Sequence, residues 1–232
     1  MACAPAAPGT AFSGCHEATP LRLLKSDLFG SVRRNDTGGR TLVIRDARSA
    51  RWWLAFLARA LCRREARALA QLDGMPGTPR LVAARAEGLT REWIDGGPMQ
   101  ACRPRNAEYY RLARRLLVAL HRRGVAHNDL AKEPNWLVTP TGAPALVDFQ
   151  LALVSPRRGR LFRMLAREDL RHLLKHKRTY CPGRLTARER RMLAEPAAVS
   201  RLWMAIAKPL YMLLTRRVFG WSDREGAGDR RF

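Results

Sequence analysis

The chain has 232 residues, 47% hydrophobic and 27% charged, a composition that excludes a disordered polypeptide and suffices for one sizeable core or two small lobes. Its net charge of +23 implies attraction to polyanions such as nucleic acid, anionic lipid, lipopolysaccharide or nucleotide phosphates. Only five of the 43 basic residues are lysine, and abundant Arg, Ala, Gly and Pro are typical of GC-rich coding bias. A specific nucleic-acid partner is therefore not expected.

The cysteines and the termini indicate the compartment. Five scattered cysteines without a C-x-x-C pair favour neither a disulfide framework nor a zinc site, and are consistent with a reducing cytoplasm. Residues 1–20 lack the features of a signal peptide and predict a disordered tail. No run of eighteen apolar residues predicts a membrane span. Residues 202–214 predict either a helix packed on the core or a segment lying on an anionic membrane, and residues 222–232 form a polar tail.

The predicted elements begin with an antiparallel meander. Apolar runs at 21–25, 29–32 and 41–45 predict three strands, and Asn-Asp-Thr-Gly-Gly at 35–39 predicts the second hairpin turn. Two further strands are predicted at 81–83 and 89–94. Asp-Gly-Gly-Pro at 95–98 then breaks the chain. This break divides a sheet-containing domain at 21–95 from a mainly helical domain at 96–221.

The helix predicted over 51–72 carries a carboxylate on its apolar face. Glu65 falls on a stripe of leucines at helical spacing, namely Leu57, Leu61, Leu69 and Leu72. A carboxylate there costs free energy unless a cation meets it. Arg45 is the natural partner because its planar guanidinium can bind a carboxylate through two hydrogen bonds. Alternatively, Glu65 lies at the edge of the stripe and reaches solvent.

The helical domain contains the most informative stretch. After a helix predicted over 107–123, residues 127–135 (HNDLAKEPN) form a polar loop, followed by a hairpin turning at 141–142 and by Asp148-Phe149-Gln150. Asp129, Asn135 and Asp148 are thereby brought to one edge of the hairpin. Carboxylate and amide oxygens suit Mg²⁺, and an aspartate beside such a site can take a hydroxyl proton. Further helices are predicted from 161, near 186–193 and over 198–217.

The order H-x-D-L, Asn and then D-F resembles the catalytic loop and metal-binding turn of protein kinases. Kinases usually place the asparagine five residues after the aspartate, so Ala131 is treated as a one-residue insertion. Lys132 then aligns with the lysine that many protein-serine/threonine kinases direct at the transferring phosphate. Gln150 replaces the glycine of D-F-G, and no long activation segment follows.

The first domain resembles the kinase N-lobe. Phe29-Gly30-Ser31-Val32 resembles the second half of the glycine-rich loop, with Lys25 and Asp27 at the positions of its first two glycines. Arg45 occupies the position of the phosphate-binding lysine, and Lys25 is a candidate to supply the missing ammonium group.

The resemblance covers residues 21–175 and implies an α+β, two-lobed protein-kinase-like fold, a small antiparallel sheet lobe plus a mainly helical lobe. It implies ATP and Mg²⁺ as cofactors. Asp129 would act on the hydroxyl and Lys132 on transition-state charge. Asn135 and Asp148 would bind Mg²⁺. The remaining nucleotide-binding residues would be Gly30, Val32, Arg45 and Glu65 near the phosphates and the backbone of Glu92, Trp93 and Ile94 at adenine.

Three functions follow from this resemblance. The short second lobe resembles RIO kinases and lipopolysaccharide core kinases, so the leading hypothesis is a RIO-like serine/threonine protein kinase in the cytoplasm. A lipopolysaccharide sugar kinase, peripheral to the inner membrane, is the first alternative and is favoured by a basic stretch from 157 to 177. A pseudokinase scaffold is the second, favoured by Arg45 and Gln150 but opposed by the intact Asp129, Asn135 and Asp148. Asp169 either holds the catalytic loop through backbone amides or is solvated.

Overall fold

The computed structural model describes residues 21–37 and 39–195. The expectations for the tails at 1–20 and 222–232, the segment 202–214 and the helix over 198–217 lie outside the described residues. Within them, no helix is long and apolar enough to cross a membrane.

A five-stranded antiparallel sheet with one long helix against it forms the first part of the described chain. The strands are β1 (Arg22–Asp27), β2 (Gly30–Thr37), β3 (Arg40–Asp46), β4 (Leu81–Arg85) and β5 (Gly88–Glu92), in the order β1-β2-β3-β5-β4. The helix α1 (Ala55–Gln71) follows β3, after a 3₁₀ turn at Trp52–Leu54. The pairing of Thr37 with Arg40 confirms the hairpin predicted between β2 and β3.

Helix α1 turns a face of mostly small residues inward, and this corrects the predicted leucine stripe. Its buried residues are Ala58, Cys62, Glu65, Ala66, Ala68 and Leu69. Leu57, expected inside, is 45% exposed. Small side chains let the helix approach the sheet closely, so close packing rather than the number of leucines decides which face is buried.

The second part is mainly helical. Its helices are α2 (Met99–Cys102), α3 (Ala107–Arg122), α4 (Arg160–Tyr180) and α5 (Ala187–Ala194), and its short strands are β6 (Gly97–Pro98), β7 (Val125–Ala126), β8 (Trp136–Val138), β9 (Pro144–Leu146) and β10 (Leu153–Val154). The β8–β9 pairing confirms the predicted hairpin, and β10 pairs with β7. Helix α4 is the helix predicted from 161, and it extends to Tyr180.

One hydrophobic core joins the two parts. Leu69 and Leu72, from α1 and its end, belong to the same buried cluster as Leu117 of α3, Trp136 of β8 and Phe149. Helix α1 therefore contacts the 3₁₀ turn at Phe149–Leu151, immediately after Asp148, as well as the sheet. This packing brings Glu65 and Arg45 close to Asp148.

Candidate functional site

Asp169 of α4 holds the loop at 127–135 in place. This carboxylate is buried and accepts hydrogen bonds from the backbone N–H of His127 at 2.8 Å and of Asn128 at 2.9 Å. His121 of α3 also lies 3.0 Å from it through Nε2. Asp169 thus holds the loop through backbone amides, and the solvated alternative is wrong.

Two further side chains of α4 contact the same loop. Nε2 of His176 lies 2.8 Å from the carbonyl oxygen of Leu130, and the hydroxyl of Tyr180 donates to Glu133 at 2.7 Å. Asp169, His176 and Tyr180 are seven and then four residues apart and so lie on one face of α4. Sequence reasoning missed the last two, although this spacing on a helix beginning after the loop was visible.

Within the loop, the side chains of Asn135 and Lys132 both contact Asp129. Nδ2 of Asn135 donates to the carbonyl oxygen of Asp129 at 2.9 Å and to its Oδ2 at 3.1 Å. Nζ of Lys132 lies 3.1 Å from the same Oδ2. Both side-chain contacts use Oδ2, so Oδ1 of Asp129 is the oxygen left to accept a proton from a ligand.

Asp148 is the second carboxylate of the candidate site. Its backbone is left-handed (φ 66°), and its Oδ1 accepts a hydrogen bond from Gln150 and lies 3.5 Å from Nη1 of Arg45. Burial would raise the pKa of Asp148, but the Arg45 charge and the Gln150 hydrogen bond outweigh it and hold that pKa below its ordinary value. The group is therefore an anion at neutral pH, as a metal ligand must be.

His127 lies behind these groups and is fully buried. Its Nε2 is 3.0 Å from the carbonyl oxygen of Val147, and its ring packs on Phe149 with centroids 4.5 Å apart. The imidazole therefore ties the loop to the segment that carries Asp148.

Glu65 is 1% exposed and is bound by two arginines. Oε2 is 2.9 Å from Nη1 of Arg45, and Oε1 is 3.2 Å from Nε of Arg91 on β5. The predicted pair is thus present, and the solvent-exposed alternative for Glu65 is wrong. Arg91 was missed, although it lies two residues after the buried Leu89 and so on the same face of its strand.

Charge and burial set the protonation of the groups around this pair. Burial would lower the pKa of Arg45, but the neighbouring Glu65 and Asp148 carboxylates raise it above its ordinary value. Cys62, one turn before Glu65, is buried, and burial raises the pKa of its thiol. A fixed cation and a neutral thiol therefore lie beside the carboxylate.

The turn between β1 and β2 differs from a flexible glycine-rich loop. The β1–β2 pairing runs down to Asp27 opposite Gly30, and the Asp27 carboxylate accepts the N–H of Phe29 at 2.9 Å. Lys25 pairs with Asp27 at 3.4 Å. Gly30 has φ of 127°, and a Cβ there would lie 2.2 Å from the carbonyl oxygen of Asp46. Backbone packing is therefore sufficient to require this glycine. Val32 pairs with Arg45 across β2 and β3.

The predicted adenine-binding segment is partly used by the sheet. The N–H of Glu92 donates to Arg80 and that of Trp93 to Thr41, each at 2.9 Å. Arg34 covers the Trp93 ring with its guanidinium carbon 4.9 Å from the centroid. Because the N–H groups of Glu92 and Trp93 are already hydrogen-bonded, adenine recognition by residues 92–94 would use the backbone carbonyl oxygens and the N–H of Ile94.

The donor set fits Mg²⁺ better than a transition metal. Among the described residues, no group of three or more His, Cys, Asp or Glu side chains could hold a metal ion. One carboxylate, Asp148, and one amide, Asn135, match an ion that keeps most of its waters and takes few protein oxygens. Because Nδ2 of Asn135 faces Asp129, its Oδ1 remains as the oxygen ligand.

No protein-family model and no curated protein matches the chain. Among solved structures, it is similar to the Rio2 kinase from Chaetomium thermophilum, with a TM-score of 0.58 and 14% identity over 88% of this chain and 74% of that one. It is also similar to the Rio2 kinase-ADP/Mg²⁺-phosphoaspartate complex from the same organism, with a TM-score of 0.55 and 14% identity over 89% and 73%. The chain therefore has the α+β, two-lobed protein-kinase-like fold.

Proposed function

We propose that the chain is an ATP- and Mg²⁺-dependent phosphotransferase acting on a hydroxyl, and specifically a RIO-like serine/threonine protein kinase working in the cytoplasm. One observation carries the proposal. Asp129, Lys132 and Asn135 contact one another on a braced loop, and Arg45 of the sheet reaches to within 3.5 Å of Asp148. The Rio2 structures, one of them an ADP/Mg²⁺ complex, support it through the shared fold.

These residues match the needs of phosphoryl transfer, in which positioning and charge neutralisation provide most of the catalysis. Oδ1 of Asp129 accepts the proton of the acceptor hydroxyl as its oxygen bonds to the γ-phosphorus and the bond to ADP breaks. Lys132 and Arg45 meet the charge on the transferred group. Asn135 and Asp148 would hold Mg²⁺, which would supply positive charge against the phosphate oxygens.

The second arginine on Glu65 supports a phosphate-binding role for Arg45. If Arg45 were the sole counter-ion of a buried carboxylate, moving toward a phosphate would leave that carboxylate unpaired at a cost of several kcal/mol. Arg91 already binds Oε1, so Arg45 can be shared among Glu65, Asp148 and the nucleotide.

A lipopolysaccharide sugar hydroxyl is the second candidate acceptor. Exposed arginines occupy the segment between Asp148 and the first turns of α4, namely Arg157, Arg158, Arg160 and Arg163. They would suit a phosphorylated saccharide as well as an acidic peptide. Phosphate transfer from labelled ATP to purified lipopolysaccharide or to an acidic serine-containing peptide distinguishes these acceptors.

The test combines nucleotide binding with turnover. We expect Mg²⁺-ATP at about 100 times its Kd to stabilise the wild type by about 2.7 kcal/mol, visible as a rise in Tm, and not to stabilise Asp148→Ala. Asp129→Ala should bind ATP but lose at least about 100-fold in turnover. Asp73→Ala, which removes an exposed carboxylate, is the control and should behave as wild type.

The product needs its own check, because the second Rio2 structure contains phosphoaspartate. Phosphate on a hydroxyl resists hydroxylamine, whereas an acyl phosphate is cleaved by it. Label resistant to hydroxylamine supports the hydroxyl kinase. No stabilisation and no turnover in the wild type would contradict the catalytic proposal and favour the scaffold.

A further inference from the structure

The two most exposed large hydrophobic side chains of the described residues, Trp52 and Phe56, lie together where α1 begins. Trp52 is 88% and Phe56 77% exposed, while Trp53 and Leu57 are 41% and 45% exposed. We call these four residues the aromatic tip. They lie within the 3₁₀ turn and first turn of α1. An exposed apolar group of this size marks an interaction site more often than an accident of folding.

Exposed arginines flank the aromatic tip along the chain. Arg51 precedes it, and Arg59, Arg63, Arg64 and Arg67 follow on the exposed side of α1. Glu87 pairs with Arg48 at 2.7 Å and with Arg59 at 3.0 Å. Within the part of the chain that the structure describes, Arg51, Arg63 and Arg64 form no ion pair. Uncompensated positive charge therefore adjoins the exposed aromatic rings.

We propose that the aromatic tip and these arginines dock the protein on an anionic lipid surface. Tryptophan has an apolar ring and a polar N–H, a combination that favours the boundary between headgroups and acyl chains. Arginines beside it attract anionic headgroups. The lipid boundary accepts protruding side chains of any shape, whereas a protein partner must present matching pockets.

The charge also argues against a second copy of this chain as the occupant. A symmetric dimer through the aromatic tip would bring the arginines of one copy against those of the other, and like charges at an interface oppose association. The proposal does not depend on phosphotransfer, since none of these residues belongs to the candidate site.

Co-sedimentation of the full chain with lipid vesicles tests the proposal. We expect binding to vesicles of phosphatidylcholine and phosphatidylglycerol in equal parts, weakening as salt is added, and little binding to phosphatidylcholine alone. Replacing Trp52 and Phe56 together by serine should lower the bound-to-free ratio at least about tenfold. Tm should stay unchanged, because both side chains are exposed in the folded protein.

Two further variants identify the surface. Arg63→Gln with Arg64→Gln should weaken binding to the anionic vesicles about 30-fold, since each arginine near a charged membrane contributes about fivefold. Leu161→Ser is the matched control: Leu161 is 58% exposed beside Arg160 and Arg163 on α4, and its loss should leave binding intact.

Several results would overturn the proposal. The first is a wild type that does not sediment with anionic vesicles. The second is a Trp52/Phe56 variant that binds as well as wild type, above all if Leu161→Ser does not, because the contact would then lie elsewhere. The third is concentration-dependent self-association in sedimentation velocity that the Trp52/Phe56 variant abolishes, which would assign the surface to a second copy.

Discussion

Two guanidinium groups meet the buried carboxylate of Glu65, Arg45 at 2.9 Å and Arg91 at 3.2 Å. A charge in this position costs several kcal/mol when it has no counter-ion, so the arginines are required to bury it. Because each of them binds a different carboxylate oxygen, either one can still compensate the charge after the other is lost. Their contributions to stability should therefore depend on each other.

A double-mutant cycle measures this dependence. We expect Arg45→Gln and Arg91→Gln each to lower the free energy of unfolding by about 1–2 kcal/mol, and the double variant to lower it by about 4–5 kcal/mol. Urea denaturation of the four proteins gives the coupling. Arg59→Gln, at an exposed position, is the control. Simple additivity would show that the two arginines do not share the charge.

The pKa of His172 should make the stability of the protein depend on pH. Burial, aided by the neighbouring Lys175, lowers the pKa of His172 to about 4, although Asp169 opposes the shift. Glu168, 3.6 Å away, is shared with Arg171 and Lys175. Between about pH 4 and the ordinary value of 6.5 the unfolded chain binds a proton that the folded chain does not, so stability falls as pH falls through this window.

The expected loss is about 3 kcal/mol between pH 7 and pH 4 from this one group. Urea denaturation at several pH values measures it, and His172→Gln should remove that part of the slope. An unchanged slope in the variant would show that other groups cause the acid sensitivity.

One face of helix α4 holds the loop at 127–135 in place. Asp169, His176 and Tyr180 contact the catalytic-loop candidate at its start, middle and end, through two backbone N–H groups, one carbonyl oxygen and one side chain. The loop itself has little regular structure beyond the 3₁₀ turn at Glu133–Asn135. The helix therefore supplies the rigidity that positions Asp129.

Hydrogen exchange can show this brace directly. Asp169→Ala removes the acceptor of the backbone N–H groups of His127 and Asn128, and we expect a loss of about 2–3 kcal/mol of stability. The amides of His127 and Asn128 should lose protection, while those in the middle of α3 keep theirs relative to global stability. Asp73→Ala serves as the control. Retained protection at both loop amides would contradict the bracing role.

The limits of prediction from sequence are clearest in α1. The leucine spacing placed the helix and correctly put Glu65 inside, yet it also put Leu57 inside, where the structure exposes it. A helix with apolar residues on two faces offers two stripes, and packing against a sheet selects the one with Ala58 and Cys62. The contacts of Arg91 and of α4 were not predicted for another reason. They depend on which elements pack together in the fold, and the spacing of residues within one element does not specify that.

The order of local features, in contrast, predicted the architecture of the described chain. Each local feature is weak evidence for a fold when taken alone. Their order along the chain restricts the fold far more: a meander, a helix with an inward carboxylate, a break, and then the loop and hairpin. The resemblance of this order to that of protein kinases implied the two-lobed protein-kinase-like fold, which is found in the structure. Which hydroxyl receives phosphate depends on a surface that no such pattern specifies.

The net charge of +23 should make stability respond to salt. Repulsion among arginines disfavours the compact state, and added ions screen it, with a Debye length of about 10 Å at 0.1 M and about 3 Å at 1 M. We expect Tm to rise by a few degrees as sodium chloride is increased across this range. A falling Tm would indicate that the ion pairs contribute more than the repulsion costs.

Chemical labelling of Cys62 can report how often α1 moves away from the sheet. Its thiol is 1% exposed and lies one turn from Glu65, beneath the sheet. An alkylating reagent can reach it only when the helix moves away, and each such event is recorded permanently as a covalent adduct at one known residue. The labelling rate of this cysteine therefore measures how often α1 separates from the sheet, and a nucleotide that binds only the folded protein should lower that rate.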